Sequence, residues 1–339
     1  MQPDAYHIPV LAAASIEGIG VSNRPNGTFV DATFGGGGHS RLILAELGSA
    51  GKLFGFDQDA DAHANALDDE RFTLVPENFR YIRNFLRLEG VRRADGLLAD
   101  LGVSSHQFDA GARGFSIRQD AALDMRMNQN TGINAADIAA DYSVEQLTSM
   151  LRQYGELKRP DRVAYAIEEA RRNRPIARTA DLVAATDHLA PRGKENQFHA
   201  QIFQAFRIEV NDELSALREM LEATVGLLAE GGRLAIISYH SLEDRLVKHF
   251  MRSGNFDDDV KRDLKGNALC PFAPVNRKAI VADEAEQARN PRARSARLRV
   301  ATRTALTLEQ INAHAARKSS FHLAQTPRTK TNLHGATAS

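Results

Sequence analysis

The sequence predicts an α/β protein in which a doubly wound parallel sheet domain is interrupted by an all-helical insertion. Three observations lead there. Short β-forming runs alternate with amphipathic segments of about ten residues through the first hundred positions, the pattern of βαβ units. From about Phe115 to His199 the chain offers helical periodicity and no strand candidate. Beyond that span the alternation of strand and helix resumes.

In chain order, the strand "GTFVDA" runs into four consecutive glycines, Gly35 to Gly38, followed by the helical spacing of "SRLILAEL". Glycines in series lose more backbone freedom on folding than any other residues, so such a run belongs where the chain turns tightly or a ligand approaches closely. Strand, glycine loop and helix N-terminus together aim backbone amides at a ligand. "GKLFGFD", "RFTLV" and "DGLLAD" read as the next three strands, with "QDADAHANAL" and "FRYIRNFLRL" as the helices between them. Within the insertion, Ser143 and Gln146 form a capping box ahead of "LTSMLRQY", and Pro160, Pro175 and Pro191 punctuate the helices. The α/β pattern returns with one long helix, "QIFQAFRIEVNDELSALREMLEATVGLLAEGG", closed by Gly231 and Gly232. The strand "RLAIIS" follows, then the helix "LEDRLVKHFM" capped by Ser241 with Asp244, and "KAIVAD" and "ARLRVAT" are candidate closing strands. The expected division is a sheet domain over 1–112 and 204–305, the insertion over 113–203 and a basic, flexible tail over 306–339.

At 339 residues and 43% hydrophobic content the chain is long enough for about two domains of ~100 to 200 residues. It has no run of roughly 18 apolar residues, and its start lacks the basic and apolar regions of a signal peptide, so a cytoplasmic protein without a membrane segment is expected. The single Cys270 excludes an internal disulfide and a multi-cysteine zinc cluster, and no metal site is expected. The formal net charge of +0 hides an uneven distribution. From Gln287 to Ser339 there are ten Lys or Arg and one acid, Glu309, and a second basic cluster, "RRNRPIAR", occupies 171–178. Basic runs are more often solvated faces, but two of them in a neutral chain suggest a polyanionic partner.

Asp57 ends the second strand, 20 residues after Gly37, where an acid in a dinucleotide-type unit takes a ribose hydroxyl pair. NAD and S-adenosylmethionine both carry that ribose. Ser40 stands where a pyrophosphate fingerprint has its third glycine. Asp31, at the end of the first strand, would repel a pyrophosphate and attract the ammonium and sulfonium of S-adenosylmethionine; a helix N-cap or loop-bracing acid is the alternative reading. Asp100 ends the fourth strand, at the carboxyl edge where open α/β sheets bind ligands, with a plain turn residue as its alternative.

"DATFGGGGHS", "FDQD", "DLGVSS", "RGFSIRQDAALDMRM", "FQAFRIEVNDEL", "GGRLAIISYHSLEDRLVK" and "NPRARSARLRVA" together resemble the RsmH (MraW) family, over roughly residues 5 to 305. The resemblance implies a class I S-adenosylmethionine-dependent methyltransferase fold, Rossmann-like. It also implies an enzyme that methylates N4 of a cytosine in the decoding region of 16S ribosomal RNA, within a small ribosomal subunit or its precursor. Carried over by motif, Gly37, Gly38 and His39 match the donor loop, Asp57 the ribose acid, Phe79 the residue beside the adenine, and Asp100 and Gln107 the remaining donor contacts.

Transfer to an exocyclic amine needs a poor nucleophile aligned and its protons accepted, which makes Asp100 a catalytic candidate. His240, in "SYHSLEDR", is a second, and its neighbours Ser238 and Tyr239 lie at the same sheet edge. Many amino-methyltransferases follow their acid with Pro-Pro-Tyr, whose aromatic stacks on the base; here Asp100 precedes Leu101, Gly102 and Val103. Phe108 and Phe115 are candidate substitutes for the missing ring. Arg126 in "ALDMRM" is a candidate phosphate contact, with an ion pair to Asp124 as the alternative, and Arg171, Arg172 and Arg174 are candidate RNA contacts. Rival readings are an NAD-dependent oxidoreductase, a non-catalytic RNA-binding assembly factor and a DNA amino-methyltransferase.

Overall fold

The structure, a computed structural model, describes residues 9–103, 113–130, 132–263 and 265–311. Its centre is a seven-stranded sheet in the order β3-β2-β1-β4-β5-β7-β6. The strands are β1 Thr28–Asp31, β2 Lys52–Phe56, β3 Phe72–Val75, β4 Ala94–Asp100, β5 Leu228–Ser238, β6 Phe272–Pro274 and β7 Arg297–Arg303. The first five run parallel, while β7 is antiparallel to both β5 and β6. Side chains alternate across the sheet, so Phe29 enters the core on one face and its neighbour Val30 the core on the other. Helices α1 (Ala12–Ile19) and α2 (Gly38–Glu46) cover the Phe29 face. Helices α4 (Ile82–Leu88), α10 (Glu213–Leu227) and α11 (Ser241–Ser253) cover the Val30 face. The order in which strands are added reverses at β1, between β2 and β4, which opens a crevice at the carboxyl ends of β1 and β4. This is the doubly wound sheet that the sequence predicts.

A third core is built between Phe115 and Phe206 by α5 (Ala135–Asp141), α6 (Val144–Gly155), α7 (Pro160–Asn173), α8 (Thr179–Thr186) and α9 (Glu195–Asn211). The Ser143 and Gln146 capping box starts α6 as read from the sequence, and Pro160 opens α7 at a position where a missing N–H costs nothing. Between Phe115 and His199 the described residues hold no strand beyond an isolated bridge from Ala122 to Arg178.

Four local expectations fail for identifiable reasons. The long helix ahead of β5 is two helices, α9 and α10, broken at Asp212, which adopts φ 48° with neither glycine nor proline to announce it. "QDADAHANAL" forms only the one-turn α3 (Ala60–His63), because His63 turns back to the Asp57 carbonyl at 3.0 Å and Asn65 donates to the Gly35 carbonyl at 3.3 Å. "KAIVAD" makes a single bridge, Ile280 with Leu298, before Asp283 caps α12 (Glu284–Arg289) and takes the chain off the edge. The cap of α11 is His240 with Glu243; Asp244 instead pairs both carboxylate oxygens with Arg299 on β7, at 2.7 and 3.0 Å.

Candidate active site

The four glycines are used unequally. Gly35 and Gly37 take left-handed conformations, at φ 52° and 73°. A Cβ on Gly37 would also lie 3.0 Å from the Phe34 ring. Gly37 caps α2, so the amides of Gly38 and His39 open that helix toward the crevice. Asp57 braces the loop from β2: its carboxylate accepts Gly35 N–H at 2.7 Å and Asp59 N–H at 2.9 Å. Two backbone bonds leave the carboxylate with unused lone pairs on the side of the cleft that it lines. Burial nonetheless pushes Asp57 up from 3.8 to about 6, against the lowering effect of those two amides.

The cleft has a volume of about 830 Å³ and is bordered by Gly35, Gly38, His39, Asp57, Phe79 and Asp100 among others. Thus five of the seven donor-site residues expected by resemblance lie on its wall, and Gly37 sits just behind it as the cap of α2. Gln107 and Phe108 fall outside the described residues. Phe79 begins a short 3₁₀ turn and packs beside Ala216 and Leu217 of α10, an apolar slot suited to a flat ring. The wall is acidic: Asp57, Asp59, Asp61, Glu77, Asp100, Glu213 and Glu243 face it, against Arg207 and Arg292. Such a cleft opposes a pyrophosphate and suits a cationic ligand. Asp31 does not supply this charge. It is fully buried beneath the loop, accepting the Ser40 hydroxyl at 2.7 Å and Thr33 N–H at 3.2 Å, so it acts as the loop-bracing acid.

Asp100 ends β4 in the middle of the cleft. Its backbone N–H donates to Thr33 Oγ1 at 2.6 Å, tying β4 to the loop after β1. The Tyr239 hydroxyl donates to Asp100 Oδ1 at 2.7 Å, and His39 Nδ1 stands 3.7 Å from Oδ2. Burial raises Asp100 from 3.8 to about 6, opposed by His39 and the Tyr239 bond.

Above it lies a polar cluster that links the two halves of the molecule. Arg207 on α9 grips Glu213 on α10 through two bonds of 2.9 and 3.0 Å, across the break at Asp212. Glu243 accepts the Tyr239 N–H at 2.9 Å, and His240 Nε2 is 3.1 Å from its other oxygen. Glu243 is held below its usual range by His240 and Arg207 despite burial. Glu213, His240 and Glu243 bring possible ligand atoms within 4.8 Å of one another, and Arg207 already supplies positive charge to that cluster.

The remaining sequence candidates sit elsewhere. His240 serves as the N-cap of α11 and does not border the cleft. Ser238 is buried, and Phe115 belongs to the helical core, so neither reaches the cleft wall. Arg126 forms the bidentate pair with Asp124, at 2.7 and 2.9 Å. Arg171 is spent inside the helical region, donating to the Ala139 and Tyr142 carbonyls at 2.8 Å each. Arg172 and Arg174 are about three-quarters exposed and pair with Glu168 and Asp181. Sequence reading missed Arg207 as a cleft residue and Arg113 as a buried tie. Arg113 donates to Asp59 at 2.7 Å, Asp61 at 3.2 Å and the carbonyls of Arg126 and Met127 at 2.6 and 2.7 Å. Arginines inside long, acid-rich motifs were the only signal for them.

The model of the MraW methylase family matches residues 4–304. Ribosomal RNA small subunit methyltransferase H of Cytophaga hutchinsonii is 55% identical over 300 residues, covering 88% of this chain and 99% of that protein. The protein of the same name from Parabacteroides distasonis is 52% identical over 297 residues, covering 87% and 97%. Among solved structures, an rRNA methylase from Streptococcus thermophilus aligns over 83% of this chain and 88% of its own, at 12% identity and a TM-score of 0.35. The family match takes in the glycine loop, Asp57, Asp100 and the whole helical region, and relatives at this identity extend along nearly their full length: the chain belongs to the MraW methylase family.

Proposed function

We propose that the protein transfers a methyl group from S-adenosylmethionine to the exocyclic N4 of a cytosine in the decoding region of 16S ribosomal RNA, in a small ribosomal subunit or its precursor. Membership of the methylase family supports the reaction class, and the names of the close relatives support small-subunit ribosomal RNA as substrate. That substrate implies action in the cytoplasm. The choice of cytosine N4 rests on the resemblance together with Asp100, the observation that carries the reading: a half-buried carboxylate at the sheet's switch point, open to a cleft with an acidic wall.

The bound donor supplies an electrophilic methyl group on a sulfonium. Gly35 to His39 and Asp57 would hold its amino acid and ribose portions, and Phe79 would lie beside the adenine. Asp100 accepts a hydrogen bond from the target amine, which orients the nitrogen lone pair toward the methyl carbon. When the amine takes the methyl group, its proton would pass to the Asp100 carboxylate and from there to solvent. The acidic wall repels phosphates, so only a neutral base enters, and the nucleotide must be unpaired or flipped out of its stack. The helical region over 113–203 and the basic C-terminal segment hold the RNA backbone outside.

Deleting the gene in its host and digesting the small-subunit RNA to nucleosides tests this. N4-methylated cytidine should disappear, returning with the wild-type protein and not with Asp100→Ala. Persistence at the wild-type level would defeat the assignment.

A further inference from the structure

We propose that Tyr239 is a positioning residue for methyl transfer: its hydroxyl holds Asp100 Oδ1, leaving Oδ2 as the one carboxylate oxygen presented to the target amine. The proposal rests on Asp100 being the acceptor in the reading above.

The backbone alone does not fix this carboxylate. Asp100 N–H is tied to Thr33 and Leu101 N–H to the Ile237 carbonyl at 2.9 Å, which sets the end of β4 but leaves the side chain free to rotate. His39 does not hold it either. His39 Nε2 lies 3.1 Å from the Val10 carbonyl, which can only accept, so Nε2 carries the proton. Its other ring nitrogen, Nδ1, stands 3.7 Å from Asp100 Oδ2, beyond hydrogen-bond reach. Among the described residues the Tyr239 hydroxyl is therefore the only side-chain hydrogen-bond donor to Asp100. It remains a donor at any working pH, because burial and the adjacent Asp100 both push the phenol pKa upward.

Tyr239 is itself locked at both ends. Its N–H donates to Glu243 Oε2 at 2.9 Å, and its ring lies against Gly102, where a Cβ would come within 3.2 Å of the ring edge. Gly102 also holds φ +104°, a conformation that other residues rarely adopt, so this position is shaped to admit the ring. An aromatic is absent from the chain just after Asp100, and the ring of Tyr239, the residue that follows the neighbouring strand β5, reaches that carboxylate instead. The charged or titratable groups that act on Asp100 are His39 from α2, Asp31 from β1, Tyr239 from β5 and Glu243 from α11, while Arg292 acts on Tyr239.

Single-turnover methyl transfer to small subunits isolated from the deletion strain, at saturating donor and across pH, is the test. Tyr239→Phe keeps the ring and removes one hydrogen bond. Its rate should fall about tenfold or more, with donor affinity by calorimetry within twofold of wild type. Because that bond lowers the Asp100 pKa, the acid limb of the rate profile should move to higher pH. In an Asp100→Asn background the same substitution should cost nothing further, since the hydroxyl acts through Asp100; where that background is too slow to measure, the acid limb decides. An unchanged rate and acid limb in Tyr239→Phe, or an equal loss in the Asp100→Asn background, would overturn the role of Tyr239. If Asp100→Asn alone keeps the wild-type rate, the functional reading itself is what fails.

Discussion

Asp57 and Asp100 line the cleft as half-buried carboxylates, and desolvation is the largest cause lifting each from 3.8 to about 6. Both folded values stand above the unfolded one, so the neutral forms favour the native state: their contribution is full below about pH 3.8 and is lost as pH rises through about 6. At pH 7.5 the charged Asp100 therefore weighs against folding by roughly 3 kcal/mol. Asp100→Asn should raise the melting temperature at pH 7.5, with a gain that shrinks as the pH is lowered toward 4, while methyl transfer is lost. A mutant less stable than wild type at neutral pH would identify Asp100 as a structural residue. For Asp57 the readout is ligand affinity. Asp57→Ala should weaken donor binding by about 1.5 to 3 kcal/mol, as expected for hydrogen bonds to a charged acceptor. In the wild type the affinity should decline as pH falls through about 6, where the carboxylate gains a proton and loses acceptor capacity. Calorimetry from pH 5 to 8 checks both the mutant and the slope. The two acids were legible in the sequence because each ends an apolar strand, and strand ends of an open α/β sheet converge on its crevice. Tyr239 as the partner of Asp100 was not, since 139 residues separate them and only the adjacency of β4 and β5 brings them together.

Elements that declare themselves through composition were legible, and those decided by tertiary partners were not. Strands β1 to β5 and β7 lie in apolar or β-branched runs whose burial the sheet then enforces. By contrast β6 has three residues, ends in Pro274 and takes its place only because β7 offers an open edge. The break between α9 and α10 depends on Arg207, Glu213 and the pairing of Asp212 with Arg80 at 2.7 Å, all made by side chains that look solvated in sequence. Helix α3 is similarly short because its residues serve the glycine loop and Arg113. That arginine is buried, pairs with the equally buried Asp59, and joins the start of α3 to the carbonyls of Arg126 and Met127. Arg113→Met takes the guanidinium from a buried carboxylate, a change costing on the order of 3 kcal/mol. Urea unfolding should register that loss. Donor affinity should fall as well, because the Asp59 N–H helps hold Asp57. A variant with wild-type stability and affinity would mean that the tie is dispensable.

The described residues form three cores: one on each face of the sheet and one among the helices from Phe115 to Phe206. The helical core meets the sheet domain around the cleft, where Arg113 and the Arg207–Glu213 pair cross between them. Charge is divided accordingly. The cleft is acidic and excludes phosphate, so the affinity of a polyanion has to come from cations outside it. Helix α7 carries two of these at its C-terminal end, Arg172 and Arg174, about three-quarters exposed, whereas Arg171 beside them is engaged with backbone carbonyls and belongs to the fold. Only the arginines of these pairs are exposed, Glu168 and Asp181 being largely covered, so each guanidinium keeps open faces for a phosphate. Replacing both by glutamate, as Arg172→Glu with Arg174→Glu, should weaken RNA binding and flatten its salt dependence, the slope of log K against log salt dropping by about 0.7 to 0.9 for each phosphate that is no longer neutralised. Donor affinity should stay near wild type, because neither side chain borders the cleft. Filter binding of small-subunit RNA across a salt series, alongside donor calorimetry, separates the outcomes. An unchanged salt slope would remove this end of α7 from the RNA interface, and a loss of donor affinity would instead assign the helical region to the donor site.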